Sequence, residues 1–303
     1  MEQTDFLRVL NTLFTVAMIG VGAGLLTAYR RPRSAYGRAD RFSRGVRLPY
    51  GTDRIRDSIA RAMRARTIAV AVAVLVGGLV MAALLPTPIG SSPFLIFSAM
   101  IPTLVVGTTL ATVVVGVRER LFHPAPDAPR IARAREMTVG DYLPMWRRML
   151  PWAIAAAAVP ALITLMITWA RSPEVIDSWA ALCVMVVAGV TLLMFVALPS
   201  LDRLILAQAQ PASDTLELAW DDALRTRALQ TFRLSCALGA WFTLSLSLVT
   251  MWDGHVTGAM WWTQLPTWGL ILLQFTYPLD GRRLPDPLYP AWLRRPAAEG
   301  GSL

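Results

Sequence analysis

Seven apolar stretches, at residues 9–28, 67–87, 94–116, 150–170, 179–199, 234–252 and 262–279, fill most of this chain. A bilayer's hydrocarbon core is roughly 30 Å thick and takes ~20 apolar residues of helix to cross. Each stretch is about that long. Lipid offers no partner to an unpaired peptide group, so helices are the economical solution. The sequence therefore predicts an all-α fold: a polytopic bundle of seven transmembrane helices, with short amphipathic helices in the loops. With 16% of its residues charged and no loop long enough to bury an independent core, residues 1–303 read as one integral-membrane domain.

Arginine sets the expected orientation. All 29 basic residues are arginine, and 27 of them fall in segments 30–66, 117–149, 200–233 and the tail 280–303. Only Arg8 and Arg171 lie elsewhere. The positive-inside rule puts those three loops and the C-terminus in the cytoplasm, giving an N-out, C-in protein of a bacterial cytoplasmic membrane. The first span lacks a basic leading flank and a small-residue cleavage site, so it reads as a retained helix. Trp169, Trp179, Trp252, Trp261 and Trp262 flank the short outer connections, where indole rings favour the headgroup level. Spans enter from the arginine side near Thr67, Leu150 and Leu234, about 83 residues apart, a rhythm of one leading helix and three hairpins.

Two inner segments have amphipathic patterns. In 53–66, Ile55, Ile59 and Met63 form one face, and arginines cover the rest. This predicts a basic helix lying on the inner leaflet, with Arg54, Arg56, Arg61 and Arg64 contacting lipid phosphates. Segment 214–232 opens with Asp214 and Glu217 at capping-box spacing, then sets Leu216, Trp220 and Leu224 on one face. The third loop is acidic, so this helix is expected to dock a partner through Leu216, Trp220 and Leu224. Asp221 and Asp222 would orient it against arginines of another subunit or of the first loop. Residues 141–149 read as a short elbow helix entering the fourth span.

Chemistry is scarce. The spans as drawn contain no ionisable residue, which argues against coupling through a midplane carboxylate. With no lysine the chain can form neither a retinal Schiff base nor a P-loop. His123 and His255 fall on opposite membrane faces. Asp221-Asp222 resembles the start of a prenyl-diphosphate DDxxD motif, but Arg225 stands at the fifth position. Ser235, Ser245 and Ser247 have no nearby histidine base. Cys183 and Cys236 sit in separate spans with no metal spacing. No catalysis, cofactor, metal or nucleic-acid partner is expected.

Packing and backbone features remain. Gly20 and Gly24 make a GxxxG pair, for close approach within the bundle or between copies in a homo-oligomer. Pro102 with Thr103, and Pro160 with Thr164, mark mid-span breaks that would line a polar path if they face one another. The expected function is a permease-like subunit driven by a separate cytoplasmic ATPase or other partner. The alternative is a non-transporting scaffold or regulatory subunit that binds anionic lipid and a protein partner.

Overall fold

The computed structural model describes residues 3–29, 31–91, 95–118, 136–208, 212–252, 264–277 and 283–293. They are helical, with no strand among them. Nine α-helices are described in chain order: α1 (Gln3–Tyr29), α2 (Pro32–Val46), α3 (Asp53–Leu84), α4 (Leu95–Arg118), α5 (Val139–Tyr142), α6 (Met145–Arg171), α7 (Ser178–Leu206), α8 (Thr215–Trp252) and α9 (Leu265–Thr276). Five of them, in α1, α3, α6, α7 and α8, are long and apolar enough to cross a membrane. The other two expected spans fall on α4, apolar over Ala99–Val114, and on α9, which is only 12 residues long between Gln264 and Tyr277 and at about 18 Å falls short of the ~30 Å core that the expected 262–279 span would cross. Large apolar side chains such as Leu13, Ile163, Leu193, Val196 and Phe275 stand exposed around the helices. Water would not tolerate that much apolar surface, and lipid would cover it.

Two helices are longer than any membrane requires. At 1.5 Å per residue, the 32 residues of α3 reach about 48 Å and the 38 of α8 about 57 Å. This corrects the loop reading. Segments 53–66, expected to lie on the leaflet, and 214–232, expected to dock a partner, are not separate elements but the first turns of α3 and α8. No glycine or proline interrupts residues 53–76 or 215–238, so nothing in the backbone stops either helix where its side chains turn from basic to apolar. A helix that continues straight into a span cannot also lie flat on the leaflet.

Caps fix the starts. Thr52 accepts from the Ile55 N–H at α3. Asp214 accepts from the Glu217 N–H at 2.7 Å, and Glu217 reaches back to the N–H of Ser213, one residue before the cap, at 2.7 Å, so both expected residues cap α8 although the reciprocal bond falls one residue outside the box. The elbow differs from expectation. Thr138 and Asp141 cap the single turn α5, and the chain breaks at Leu143–Pro144. Trp146 to Met149 already belong to α6, because Pro144 occupies its N-cap and ends the preceding turn.

Inside the bundle α8 is the central post, packed by α4, α6, α7 and α9. Phe232, Cys236, Ala240, Phe242 and Leu246 are buried on its successive faces. α1 and α3 approach through glycine: a Cβ on Gly22 would sit 3.0 Å from the Leu75 backbone, and one on Gly78 2.8 Å from Ile19. At the far end from the arginines, Asn11 donates to the Gly90 carbonyl at 2.9 Å and ties α1 to the α3–α4 turn. The three hairpins of the 83-residue rhythm pack differently. α3 lies along α4, whereas α6 and α7 meet little and each packs mainly on α8.

Candidate functional site: the cap at the arginine-rich end

The protruding turns of α3 and α8 do not stand alone. With α2, α5 and segment 283–293 they enclose a second hydrophobic core, separate from that of the bundle. The expectation that the loops bury no core is corrected: no single loop could, but all three meet with the tail. Because α3 and α8 belong to both cores, the cap remains part of one structural unit.

Trp220 is its centre, fully buried. Its indole N–H donates to the Pro49 carbonyl at 3.0 Å, and its ring stacks on Tyr50 at 5.4 Å and tilts against Phe42 at 6.1 Å. Residues 47–52 can bend over it because Arg47 and Gly51 adopt left-handed backbone, φ 56° and 72°. At Gly51 a side chain would also strike Leu216, 2.7 Å away. Tyr289 of the tail donates to the Val46 carbonyl and accepts from the Leu284 N–H, locking 283–293 against the end of α2.

The sequence-predicted residues are redistributed accordingly. Ile55, Ile59 and Met63 are at most 3% exposed, so that face meets the cap core and not lipid. Arg54 and Arg61 are exposed, Arg64 is partly buried, and Arg56 pairs with Asp40 at 3.0 Å. Leu216 and Trp220 are buried in the cap against this chain's own first loop, at Gly51 and Pro49, and the half-buried Leu224 packs at the margin of the same core. Asp221 accepts from Arg225 on its own helix at 2.8 Å, and the buried Asp222 accepts from Tyr142 at 3.0 Å. The mid-span breaks are not brought together. Thr103 lies beside Gly77 of α3, whereas Pro160 and Thr164 are exposed on α6, on an outer surface. Gly20 and Gly24 also face outward, with nothing within 4 Å of a Cβ. Cys183 and Cys236 are buried free thiols. His123 and His255 lie outside the described residues, and no metal-binding group occurs among the described ones.

Two arginines with defined tasks were not singled out from sequence. Arg225 forks onto the Leu206 and Gln208 carbonyls at 3.3 and 2.6 Å, placing a cation on the C-terminus of α7. Its spacing to Asp221, the position that spoils the DDxxD pattern, was the available signal. Arg233 makes a two-pronged ion pair with Asp202 of α7, side chains 6% and 14% exposed. Those residues are 31 apart, and no local pattern joins them.

Three tyrosines of the cap hold their protons more tightly than a free phenol. Burial first, then the hydrogen bond to Asp40, raises the Tyr50 phenol above the ordinary 10.0. Burial raises Tyr289 as well, and the hydrogen bond to Asp57 raises Tyr36. A phenol that holds its proton more tightly folded than unfolded contributes stability that is complete below pH 10 and lost as pH rises through the folded value. Thermal melts should therefore fall more steeply above pH 10 for wild type than for Tyr50→Phe. Equal alkaline loss in both would contradict this assignment.

Beside Tyr50, a shallow open recess of about 550 Å³ is lined by Asp40, Tyr50, Gly51, Thr52, Asp53 and Arg56. Its carboxylate at Asp40 is already engaged by Arg56 and Tyr50. It offers no nucleophile–base pair. Compared with protein-family models, with curated proteins and with solved structures, the chain matches none.

Proposed function

We propose that this protein is a seven-span membrane protein, N-out and C-in, that serves as a non-transporting scaffold or regulatory subunit with a cytoplasmic cap. The observation that carries the reading is Trp220. The apolar stripe of α8 that a cytoplasmic ATPase would need is occupied by the chain's own first loop. The gathering of the first loop, α5, the start of α8 and the tail into one core supports placing all four on the same side. Their arginines support taking that side as the cytoplasm. The Asn11–Gly90 bond supports an outer N-terminus, since it lies at the opposite end of α3.

One feature favours the permease-like reading. Thr109 of α4 donates to Ser235 of α8 at 3.3 Å, with Thr108 beside it at 3.5 Å, a small hydroxyl cluster within the bundle. Interhelical hydroxyl contacts of this kind are ordinary packing in membrane bundles. Impermeant thiol reagents separate the two. In a background with Cys183 and Cys236 replaced, single cysteines at Thr108, Thr109 and Ser235 should stay unlabelled from both sides. Labelling of any of them from water would favour a polar path and overturn the scaffold reading. Reporter fusions after Gly254 and Gly301 should read outside and inside, respectively, and matching signals would refute the orientation.

A further inference from the structure

Where bundle and cap meet, arginines from three helices converge. α3 carries no charge after Arg66 and α8 none after Arg233, so this level is the edge of the apolar bundle. Arg66 of α3 donates to the hydroxyl of Thr231 on α8. Arg227, one turn earlier on α8, lies 3.2 Å from the Met63 sulfur and 4.8 Å from the centre of the Phe42 ring. Arg38 of α2 donates to Thr67, the residue after Arg66. All three arginines are partly buried.

Arg66 decides the matter. Its partner among the described residues is a neutral hydroxyl, and its charged neighbour is a second guanidinium, Arg227. The nearby Arg225 and Arg233 each have a carboxylate. Two like charges held close together repel, and the partly buried Arg66 has no carboxylate partner among the described residues, which is costly for a cation withdrawn from water. An anion from outside the chain would remove both penalties. Phosphate matches the guanidinium fork, and the first charge-free turn of a span lies at the depth of lipid headgroups. Basic pockets between membrane helices on the cytoplasmic side hold anionic headgroups.

We propose that Arg38, Arg66 and Arg227 bind the phosphate of an anionic phospholipid in the notch between α2, α3 and α8. The site goes beyond the preceding reading and rests on it in requiring that the basic end face a headgroup layer. It is distinct from the exposed Arg54 and Arg61, which would contribute only diffuse attraction.

The full-length protein, stripped of lipid in neutral detergent, is titrated separately with short-chain phosphatidylglycerol, short-chain phosphatidylcholine and inorganic phosphate. Thermal midpoint and retained lipid by native mass spectrometry are read together. Phosphatidylglycerol should raise the midpoint and remain bound, with phosphatidylcholine and inorganic phosphate doing neither at equal concentration. Arg66→Gln and Arg227→Gln should each weaken phosphatidylglycerol about fivefold, whereas the Arg54→Gln/Arg61→Gln double variant should bind as wild type does. In the absence of lipid, Arg66→Gln should unfold no earlier than wild type, since it relieves repulsion. Equal binding of the two lipids by wild type overturns the proposal, as does equal weakening by the Arg54/Arg61 variant. Inorganic phosphate binding as tightly as phosphatidylglycerol would make this a free-phosphate site and overturn the lipid assignment. The wild-type titrations decide even if a variant fails to fold. They do not read orientation, so failure of this site and failure of the N-out, C-in reading are told apart.

Discussion

Trp220→Ala is expected to open the cap, with a loss of about 3–5 kcal/mol in the stability of that region. The indole is fully buried, and truncation leaves a cavity walled by Phe42, Tyr50 and Leu216. It also leaves the Pro49 carbonyl without its 3.0 Å donor. The damage should stay at one end, because the bundle core contains none of these residues. Limited proteolysis with an arginine-specific protease should cut the variant rapidly after Arg54 and Arg61, while far-UV circular dichroism retains most of its helix. Unchanged protection at these sites would show that the cap does not depend on Trp220.

Arg233→Ala should be the second severe change. Removing the guanidinium strands the Asp202 carboxylate, 14% exposed, at the edge of the apolar bundle. Breaking one half of a buried pair costs about 3–5 kcal/mol, mostly from the charge left behind. Replacing both residues with leucine should recover most of the loss, because the burdensome charge goes too. Thermal melts of the two variants measure this directly. A double variant as unstable as the single one would mean that the pair fixes the α7–α8 geometry and that its charge balance is secondary.

The helices were legible in the sequence because long apolar runs admit few other structures in lipid. Their ends were not. At Thr67 and Leu234 the solvent around the helix changes, and side-chain character changes with it, which reads as a boundary between two elements. Backbone continuity depends on something else, the lack of glycine or proline across residues 53–76 and 215–238. The amphipathic faces of both segments were correctly located, and Asp214 and Glu217 cap α8 as expected. What covers those faces was not readable. Trp220 and Pro49 lie 171 residues apart, and their meeting depends on the left-handed turn at Arg47 and Gly51 together with the paths of three helices. The same limit hid Asp202 with Arg233 and the convergence of Arg38, Arg66 and Arg227. Each comes from helices that a one-dimensional pattern cannot place side by side.

In the membrane-embedded protein the first loop and the start of α8 should close on each other as one cap. A photo-crosslinking phenylalanine derivative at Tyr50 tests it, since that ring stacks on Trp220 at 5.4 Å with planes 4° apart. Irradiation in native membranes, followed by peptide mapping, should yield a crosslink within one chain to residues 216–220. Crosslinks chiefly to lipid or to a separate protein, with the 216–220 peptide unmodified, would contradict the cap and return α8 to the role of an open docking helix.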